Sequence, residues 1–439
     1  MQDQKNSGIK KTITELCEKK KKALLSYWAK VKPAFQKHGD KLLFVLALAI
    51  LAAALFNLVG KKAITQAAAP SIVFTQWWQD NLEKDTLQTL IKEFESIHGD
   101  IKIVIKDRSY EDLRQDLFNP SETSFPGDIL ALDPLWVPEL LAGKTIETQE
   151  AENQRTFDPA QSGSDAPLLS FIDVLYYNVE ILKEAGFTKP PKTRGEFIDC
   201  LKTLTNTEKG RWGLAMDRNS SRGIYDDVFP WIWSAGAQLI KDGKPVVTSR
   251  PVVESLSFLA SLNSEGFIIP GTLHEGKLED FISGRAAFMI APEEETALVW
   301  ERMGDQAFGV SSVPTPDNYA GKTFFASAGW TLGINSASAH KEEARLFADF
   351  LAGHASLLSE KAGAIPGNGN PSPSTDPFYS KTWDITIAAE PARDFTGLPW
   401  TELEEIFKEE LDALFEERST PAGTAAAIQE RWDTVLAGM

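Results

Sequence analysis

The chain has 439 residues and a formal net charge of −17 at pH 7, with 43% hydrophobic and 24% charged residues. These proportions indicate a folded protein, and the acidic balance argues against a nucleic-acid partner, which requires basic surface. Two cysteines and five scattered histidines argue against a structural zinc site, and we expect neither a metal nor a cofactor.

The first 62 residues differ from the rest in charge and hydrophobicity. They carry thirteen Lys and no Arg against four acidic residues, which leaves residues 63–439 with a net charge of −26. Residues 42–59, from Leu42 to Val59, contain no charge and one polar side chain, Asn57. A helix of this length reaches roughly 27 Å, close to the thickness of a bilayer core. We therefore predict a basic segment at 1–41, a transmembrane helix at 42–59 and a linker at 60–70.

The lysines set the direction of this predicted span. Of the thirteen lysines in residues 1–62, eleven precede the span and two, Lys61 and Lys62, follow it. The positive-inside rule therefore places the N-terminus in the cytoplasm and the acidic part outside. We predict a single-pass protein of the cell (inner) membrane. The alternatives are a buried soluble helix and a cleaved signal peptide; the long basic region and Pro70, directly after the AAA motif, favour a retained anchor. Cys17 and Cys200 would then lie on opposite sides and could not pair.

Strand and helix patterns alternate beyond the linker. Buried strands are predicted at 72–74, 101–105 and 128–132, with helices at 84–98 and 136–142. This alternation predicts βαβ units in a mainly parallel sheet with helices on both faces. Ligands bind beyond the carboxyl ends of such strands. In this chain those positions hold Trp77, Trp78, Asp133 and Trp136.

The α/β pattern continues in the second half. A β-forming run occupies 168–178, and further strands are predicted at 212–216, 286–290 and 328–334. Predicted helices occupy 180–185, 196–204 with Thr193 as N-cap, 228–237, 251–263, 341–351, 400–415 and 422–436. A loop is predicted at 363–377. Some 370 residues beyond the span exceed one core, so we predict two α/β domains.

Five stretches resemble one protein family in order and spacing. They are KEFESIHGDIKIVI, PGDILALDPLWVPELLAGKTIE, VLYYNVEILKEAGFTKPPKTRGEFIDCLKTLT, ISGRAAFMIAPE and SAGWTLGINSASAHKEEARLFADFLA. With the opening strand and Trp77 and Trp78, they resemble the extracytoplasmic solute-binding proteins of ABC importers, in the group of maltose-binding and other sugar-binding proteins. The resemblance covers roughly residues 71–439.

The resemblance implies a periplasmic-binding-protein-like fold of two discontinuous α/β lobes, joined by a hinge around a ligand cleft. It implies a first lobe of residues 71–173 and 326–378, and a second lobe of 174–325 and 379–439. It also implies that the lobes close on ligand and that a membrane permease recognises the closed form. Most relatives are free or held by an N-terminal lipid, so the predicted span departs from the family's usual attachment.

The resemblance also places several Trp residues at the cleft. Sugars present flat CH faces bordered by hydroxyls, so a matching cleft combines aromatic rings with a few polar side chains. The aromatic candidates are Trp77, Trp78, Trp136, Trp231, Trp233, Trp330 and Trp400. Trp330 and one of Trp77 or Trp78 are the preferred ligand platforms. The alternative for each is a core ring, the role we assign to Trp212, Trp300, Trp383 and Trp432.

The polar candidates each have a structural alternative. Asp133 follows a predicted strand, and it could instead cap the helix that begins near Leu135. Glu293 follows the strand at 286–290, but its two acidic neighbours also suit a solvated first helical turn. Arg393 and Asp394 lie where the resemblance implies ligand contacts from the second lobe.

The leading hypothesis is a non-enzymatic substrate-binding component of an ABC importer, which binds a saccharide and delivers it to permease subunits. A membrane-anchored sensor or scaffold with the same cleft is the alternative. A glycosidase is a third hypothesis, and the sequence shows no GxSxG, HExxH or P-loop motif. Within binding proteins, a polyamine ligand stays open because the chain is acidic.

Overall fold

The computed structural model describes residues 70–78, 82, 85–120, 125–147, 168–218, 220–272, 274–304, 306–325, 328–366, 377–392, 394–395 and 397–438. The predicted basic segment, the predicted span and residues 60–69 of the linker lie outside these ranges. Among the residues described, no helix combines the length and apolarity needed to cross a bilayer. The chain from Pro70 to Met439 forms one compact unit.

The strands and helices alternate along this unit. The strands are β1 (Ser71–Gln76), β2 (Lys102–Asp107), β3 (Ile129–Leu132), β4 (Ile146–Glu147), β5 (Leu169–Phe171), β6 (Asp173–Asn178), β7 (Trp212–Ala215), β8 (Ile240–Lys241), β9 (Lys244–Pro245), β10 (Ala286–Pro292), β11 (Phe308–Ser311), β12 (Phe324–Phe325), β13 (Ala328–Asn335), β14 (Ile365–Pro366) and β15 (Glu390–Pro391).

The helices fill the connections between strands. They are α1 (Thr86–Ile97), α2 (Tyr110–Phe118), α3 (Val137–Ala142), α4 (Val179–Glu184), α5 (Arg194–Leu204), α6 (Ser221–Gly223), α7 (Phe229–Trp233), α8 (Arg250–Ser264), α9 (His274–Ile282), α10 (Thr296–Met303), α11 (Lys341–Gly353), α12 (Ala355–Ala362), α13 (Pro377–Ala388), α14 (Trp400–Phe415) and α15 (Pro421–Ala437). A π-helical turn, Ile224–Val228, joins α6 to α7, and a 3-10 turn, Glu293–Glu295, follows β10.

Two sheets organise two lobes. The sheet of the first lobe has the order β14-β5-β13-β3-β1-β2, with β4 beside β13, and the sheet of the second lobe has the order β11-β6-β10-β7. Periodic apolar positions form the cores. In the first lobe, Phe94 of α1 packs 5.0 Å from Phe347 of α11, which also contacts Phe74 of β1. Each such buried ring stabilises the fold by about 1.5–3 kcal/mol.

The chain crosses between the sheets at Ile172. The predicted β run at 168–178 is split there, so that β5 pairs with β13 and β6 pairs with β10. The backbone N–H of Glu293 donates to the carbonyl oxygen of Ile172 at 3.0 Å. A single extended stretch therefore belongs to both lobes, and the start of β6 lies where they meet.

The prediction of a mainly parallel sheet holds for the three strands from which it was made, β1, β2 and β3, but not for the sheets as a whole. Pairing is parallel for β1 with β2 and β3, and for β7 with β10. The pairs of β13 with β3, β4 and β5, and of β6 with β10 and β11, are antiparallel. The reason is that β13 returns from the other lobe, so no helical crossover constrains its direction.

Candidate functional site

Aromatic side chains from the first lobe converge where the lobes meet. We define the aromatic cluster as Trp77, Trp78, Tyr110, Trp136 and Trp330. Trp77 and Trp78 directly follow β1, and Trp330 lies in β13. The rings of Trp78 and Trp330 are stacked, with centroids 4.6 Å apart and planes at 8°, and Trp77 meets Trp330 edge-on at 6.1 Å. The four indoles of the cluster are buried.

Tyr110 connects this cluster to Asp133. Its ring lies 4.6 Å from Trp136, and its hydroxyl donates to Oδ2 of Asp133 at 2.9 Å. The backbone N–H of Leu135 donates to Oδ1 of the same carboxylate at 2.8 Å. Both oxygens of Asp133 therefore have protein partners, and the capping interaction with Leu135 is present.

Three indole N–H groups of the aromatic cluster are buried without a hydrogen-bond partner. They belong to Trp77, Trp78 and Trp136. Buried polar groups are normally paired, and an unpaired one costs about 1–3 kcal/mol. These donors are therefore available to the oxygen atoms of a ligand.

Charged side chains at the start of β6 and in the elements that follow it face the aromatic cluster. We define the charged cluster as Asp173, Arg222, Asp226, Asp227, Lys277 and Glu294. The π-helical turn provides Asp226 and Asp227, both buried; π-helical turns are frequent at functional sites. Arg222 lies in α6, Lys277 lies in α9, and Glu294 lies in the turn that follows β10.

Both cations of the charged cluster form ion pairs with carboxylates. The guanidinium of Arg222 contacts Oδ2 of Asp226 at 3.0 Å and also pairs with Glu294. The ammonium of Lys277 donates to Oδ2 of Asp227 at 2.6 Å and to the carbonyl oxygen of Ile290 at 2.8 Å. Because these ions are removed from water, their pairing offsets a large desolvation cost.

The two clusters contact each other. Nε1 of Trp330 donates to Oε2 of Glu294 at 3.1 Å. The guanidinium of Arg222 lies 5.3 Å from the ring centroids of both Trp77 and Tyr110. Cation–π contacts of this length are attractive, and more so in a desolvated site. Arg222 and Glu294 therefore join the lobes in a closed arrangement.

Burial changes the acidity of the carboxyl groups. Desolvation raises the pKa of Asp133 to about 6, that of Glu294 to about 7 and that of Asp227 to about 8. The opposing charge of Arg222 limits the increase at Glu294, and that of Lys277 limits it at Asp227. The charged cluster therefore binds protons near neutral pH.

Other predicted site residues lie in the core of the second lobe. Trp231 packs 5.1 Å from Phe197, and Trp400 packs 4.6 Å from Phe395. Nε1 of Trp233 donates to Asp394 at 2.7 Å, and Asp394 also accepts from the backbone N–H groups of Leu239 and Ile240. These contacts join residues of the second lobe to one another. Arg393 lies outside the described residues.

The structure favours Glu294 over its predicted neighbour as a contact between the lobes. Glu293 and Glu294 are each 1% exposed, so the solvated alternative for this turn is wrong. Glu294 contacts Arg222 and Trp330 in the geometry above. The sequence does not distinguish them, because both follow the same strand and have the same side chain.

The sequence did not indicate Tyr110, Asp173, Arg222 or Asp226 as candidate site residues. One signal was available: Arg222 and Asp226 are four residues apart, the spacing of a helical ion pair. Among the described residues, no group of His, Cys, Asp and Glu is arranged to hold a metal ion. Cys200 is a buried free thiol.

Comparison with known proteins gives a matching family. Residues 80–356 match the sequence model of the bacterial extracellular solute-binding proteins. The probable ABC transporter-binding protein of Deinococcus radiodurans is 24% identical over 290 residues, which cover 60% of this chain and 66% of that protein. The chain thus spans slightly less than two thirds of the length of that curated relative.

Solved structures share the fold. The GacH receptor of Streptomyces glaucescens, solved unliganded and with acarbose, has a TM-score of 0.70 and 17% identity, covering 84% of this chain and 99% of that chain. An ABC transporter solute-binding protein of Thermotoga lettingae, bound to α-D-tagatose, has a TM-score of 0.71 and 19% identity, covering 84% of this chain and 100% of that chain. UgpB of Mycobacterium tuberculosis, in complex with glycerophosphocholine, has a TM-score of 0.71 and 16% identity, covering 85% of this chain and 99% of that chain.

These likenesses show the two-lobed α/β fold of periplasmic binding proteins, as the sequence predicted. The matched residues span more than half of the chain. The chain therefore belongs to the bacterial extracellular solute-binding protein family.

Proposed function

We propose that this protein is the substrate-binding component of an ABC importer and that it holds a carbohydrate between the aromatic cluster and the charged cluster. The observation that carries the proposal is the convergence of buried indoles from one lobe with buried carboxylates from the other. Aromatic faces suit the CH faces of a sugar, and carboxylates and indole N–H groups suit its hydroxyls.

The proposed ligand residues follow from this geometry. Trp77, Trp78 and Trp330 provide the aromatic surface, and Glu294 and Asp226 provide acceptors from the second lobe. Asp133 and Trp136 support Tyr110 at the edge of the site. We assign Trp231, Trp233 and Trp400 to the core of the second lobe, where they shape the helices that carry Arg222 and Asp226.

The comparisons support the ligand class. Related structures are complexes with acarbose, with α-D-tagatose and with maltose. Another is a complex with glycerophosphocholine, so the fold also accommodates polar ligands that are not sugars. The curated relative carries the name of an ABC transporter-binding protein, which supports permease subunits as partners.

The proposal extends to attachment. Residues 42–59 would anchor the protein in the cell membrane with the basic segment in the cytoplasm and the cleft outside, beside the permease. Lobes of residues 71–173 with 326–378, and 174–325 with 379–439, would move about the crossing at Ile172. Immunoblots of membrane and soluble fractions test the anchor, and a smaller, freely soluble form would contradict it.

The ligand class is tested by a thermal-shift screen of the full chain against neutral sugars, amino sugars, polyamines and anions. A ligand present at a hundred times its dissociation constant adds about 2.7 kcal/mol of stability. We expect saccharides to raise the unfolding midpoint, and we expect the increase to be lost in Trp77→Ala. A midpoint that no saccharide raises contradicts the proposal. Turnover of a bound oligosaccharide would contradict the non-enzymatic part.

A further inference from the structure

Asp173 differs from the other carboxylates where the lobes meet. It is the first residue of β6, directly after the crossing residue Ile172, and it pairs in register with Pro292. It is 4% exposed, and both of its carboxylate oxygens are buried without a hydrogen-bond partner. A buried carboxylate in this state is costly unless another group pairs with it.

The neighbouring charges do not provide that pairing. Arg222 contacts Asp226, and Lys277 contacts Asp227. Burial raises the pKa of Asp173 well above its ordinary value, and the negative charges of Asp226 and Asp227 act in the same direction while Lys277 and Arg222 oppose them. The charged cluster contains four carboxyl groups and two cations. Both cations pair with other carboxylates, so neither forms an ion pair with Asp173.

Buried hydrogen-bond donors without partners lie in the aromatic cluster of the first lobe. The indole N–H groups of Trp77 and Trp78 are buried donors without partners. A ligand that satisfies both sides must offer oxygen acceptors to the indoles and a strong donor, preferably a cationic one, to Asp173. A neutral sugar meets the first requirement but leaves the charge of Asp173 uncompensated.

We propose that the cleft selects a saccharide that carries a protonated amine, and that Asp173 accepts the hydrogen bonds of the ammonium group. This inference rests on the proposed function and narrows its ligand class. Trp77 and Trp78 donate to hydroxyl oxygens of the same ligand, which fixes its orientation: the amine lies toward the second lobe.

The test compares matched ligands that differ in the amine. The neutral probes are glucose, galactose, cellobiose and maltose, and the amine probes are glucosamine, galactosamine and the β-1,4-linked glucosamine dimer; spermidine is an amine without a sugar. Affinities are measured by calorimetry on the full chain at pH 7.5. We expect an amino sugar to bind about tenfold more tightly than its neutral counterpart, since hydrogen bonds between charged groups are stronger than those between neutral groups.

The variant Asp173→Asn should abolish the preference for the amine, so that an amino sugar and its neutral counterpart bind within about twofold of each other. A neutral sugar that binds as tightly as its amine counterpart overturns the inference and leaves the proposed function standing. So does a preference that survives Asp173→Asn. If spermidine binds and no saccharide does, the proposed function itself fails.

A second readout needs no ligand. Asp128 is also buried, but it accepts hydrogen bonds from Val73 and Ser338. In the unliganded protein at pH 8 we expect Asp173→Asn to raise the thermal midpoint, because it removes an uncompensated carboxylate, and Asp128→Asn to lower it. A midpoint lowered equally by both substitutions would show that Asp173 is a structural group, and it would overturn the inference.

Discussion

Among the described side chains of the site, Arg222 contacts groups of both lobes. Its guanidinium pairs with Asp226 and Glu294 and lies over the rings of Trp77 and Tyr110. It holds the charge of the second lobe against the aromatic cluster of the first. Its side chain is 11% exposed, so solvent screens these interactions only weakly.

Replacing Arg222 with Met should therefore be costly. The variant keeps part of the apolar stem but leaves Asp226 and Glu294 buried without their cation. We expect a loss of about 3–5 kcal/mol in the free energy of unfolding, measured by urea denaturation. The control is Arg250→Met, because the Arg250–Glu254 pair lies in solvent and such pairs contribute little. Equal effects of the two substitutions would contradict the role of Arg222.

Glu294 should make stability depend on pH. Burial raises its pKa from 4.5 to about 7, so the folded protein binds this proton more tightly than the unfolded chain does. The stabilising contribution is complete below about pH 4.5 and is lost as the pH rises through about 7, in total about 3 kcal/mol. Glu294→Gln should flatten the profile of unfolding free energy over this range. Parallel profiles of the two proteins would disprove the assignment.

Among the elements, helix α5 shows how local sequence determines a boundary. Thr193 was predicted as its N-cap. The Thr193 hydroxyl accepts a hydrogen bond from the backbone N–H of Glu196 at 3.3 Å, and the Glu196 carboxylate accepts one from the backbone N–H of Thr193 at 3.4 Å. These two bonds form a capping box, so the prolines before Thr193 and the cap together fix where α5 begins.

The substitution Thr193→Ala removes the cap and should cost about 1 kcal/mol in unfolding free energy. Chemical denaturation provides the measurement. Ser249 is a matched control because it precedes helix α8 and its side chain makes no capping hydrogen bond; Ser249→Ala should leave stability unchanged. A larger loss at Ser249 than at Thr193 would show that the cap has no energetic role.

Within the compact unit from Pro70 to Met439, the two lobes are also in contact away from the aromatic cluster. Nη2 of Arg114 in α2 lies 3.0 Å from Oε2 of Glu404 in α14. Beside it, the backbone N–H of Thr401 donates to the Glu139 carboxylate at 2.6 Å. These two contacts connect the first lobe to helix α14 of the second lobe, and they would break when the lobes separate.

Arg114→Met should shift the population toward an open form. Because the proposed site is assembled from both lobes, we expect ligand affinity to fall by about tenfold, equivalent to roughly 1.4 kcal/mol. Small-angle X-ray scattering of the unliganded variant should give a larger radius of gyration. Arg211→Met is the control, because Arg211 pairs with Glu184 at the surface of the second lobe. An unchanged radius and affinity in Arg114→Met would refute this role.

The sequence alone determined the local elements and the family. Some features depend only on neighbouring residues: the alternation of strand and helix patterns, the cap at Thr193 and the β-forming run that becomes β5 and β6. Five ordered motifs were sufficient for the family prediction, which the comparison confirms. Helix α2, which begins at Tyr110, was missed because its apolar positions are few.

Only the tertiary structure decided which residues meet. Arg222 and Glu294 are 72 residues apart, and Arg114 and Glu404 are 290 apart, so no local pattern indicates their pairing. The same limit explains why the sequence did not predict the antiparallel pairing of β13. Periodicity shows which residues are buried, but packing between distant segments decides whether a buried ring such as Trp231 lies in a core or, like Trp330, where the two lobes meet.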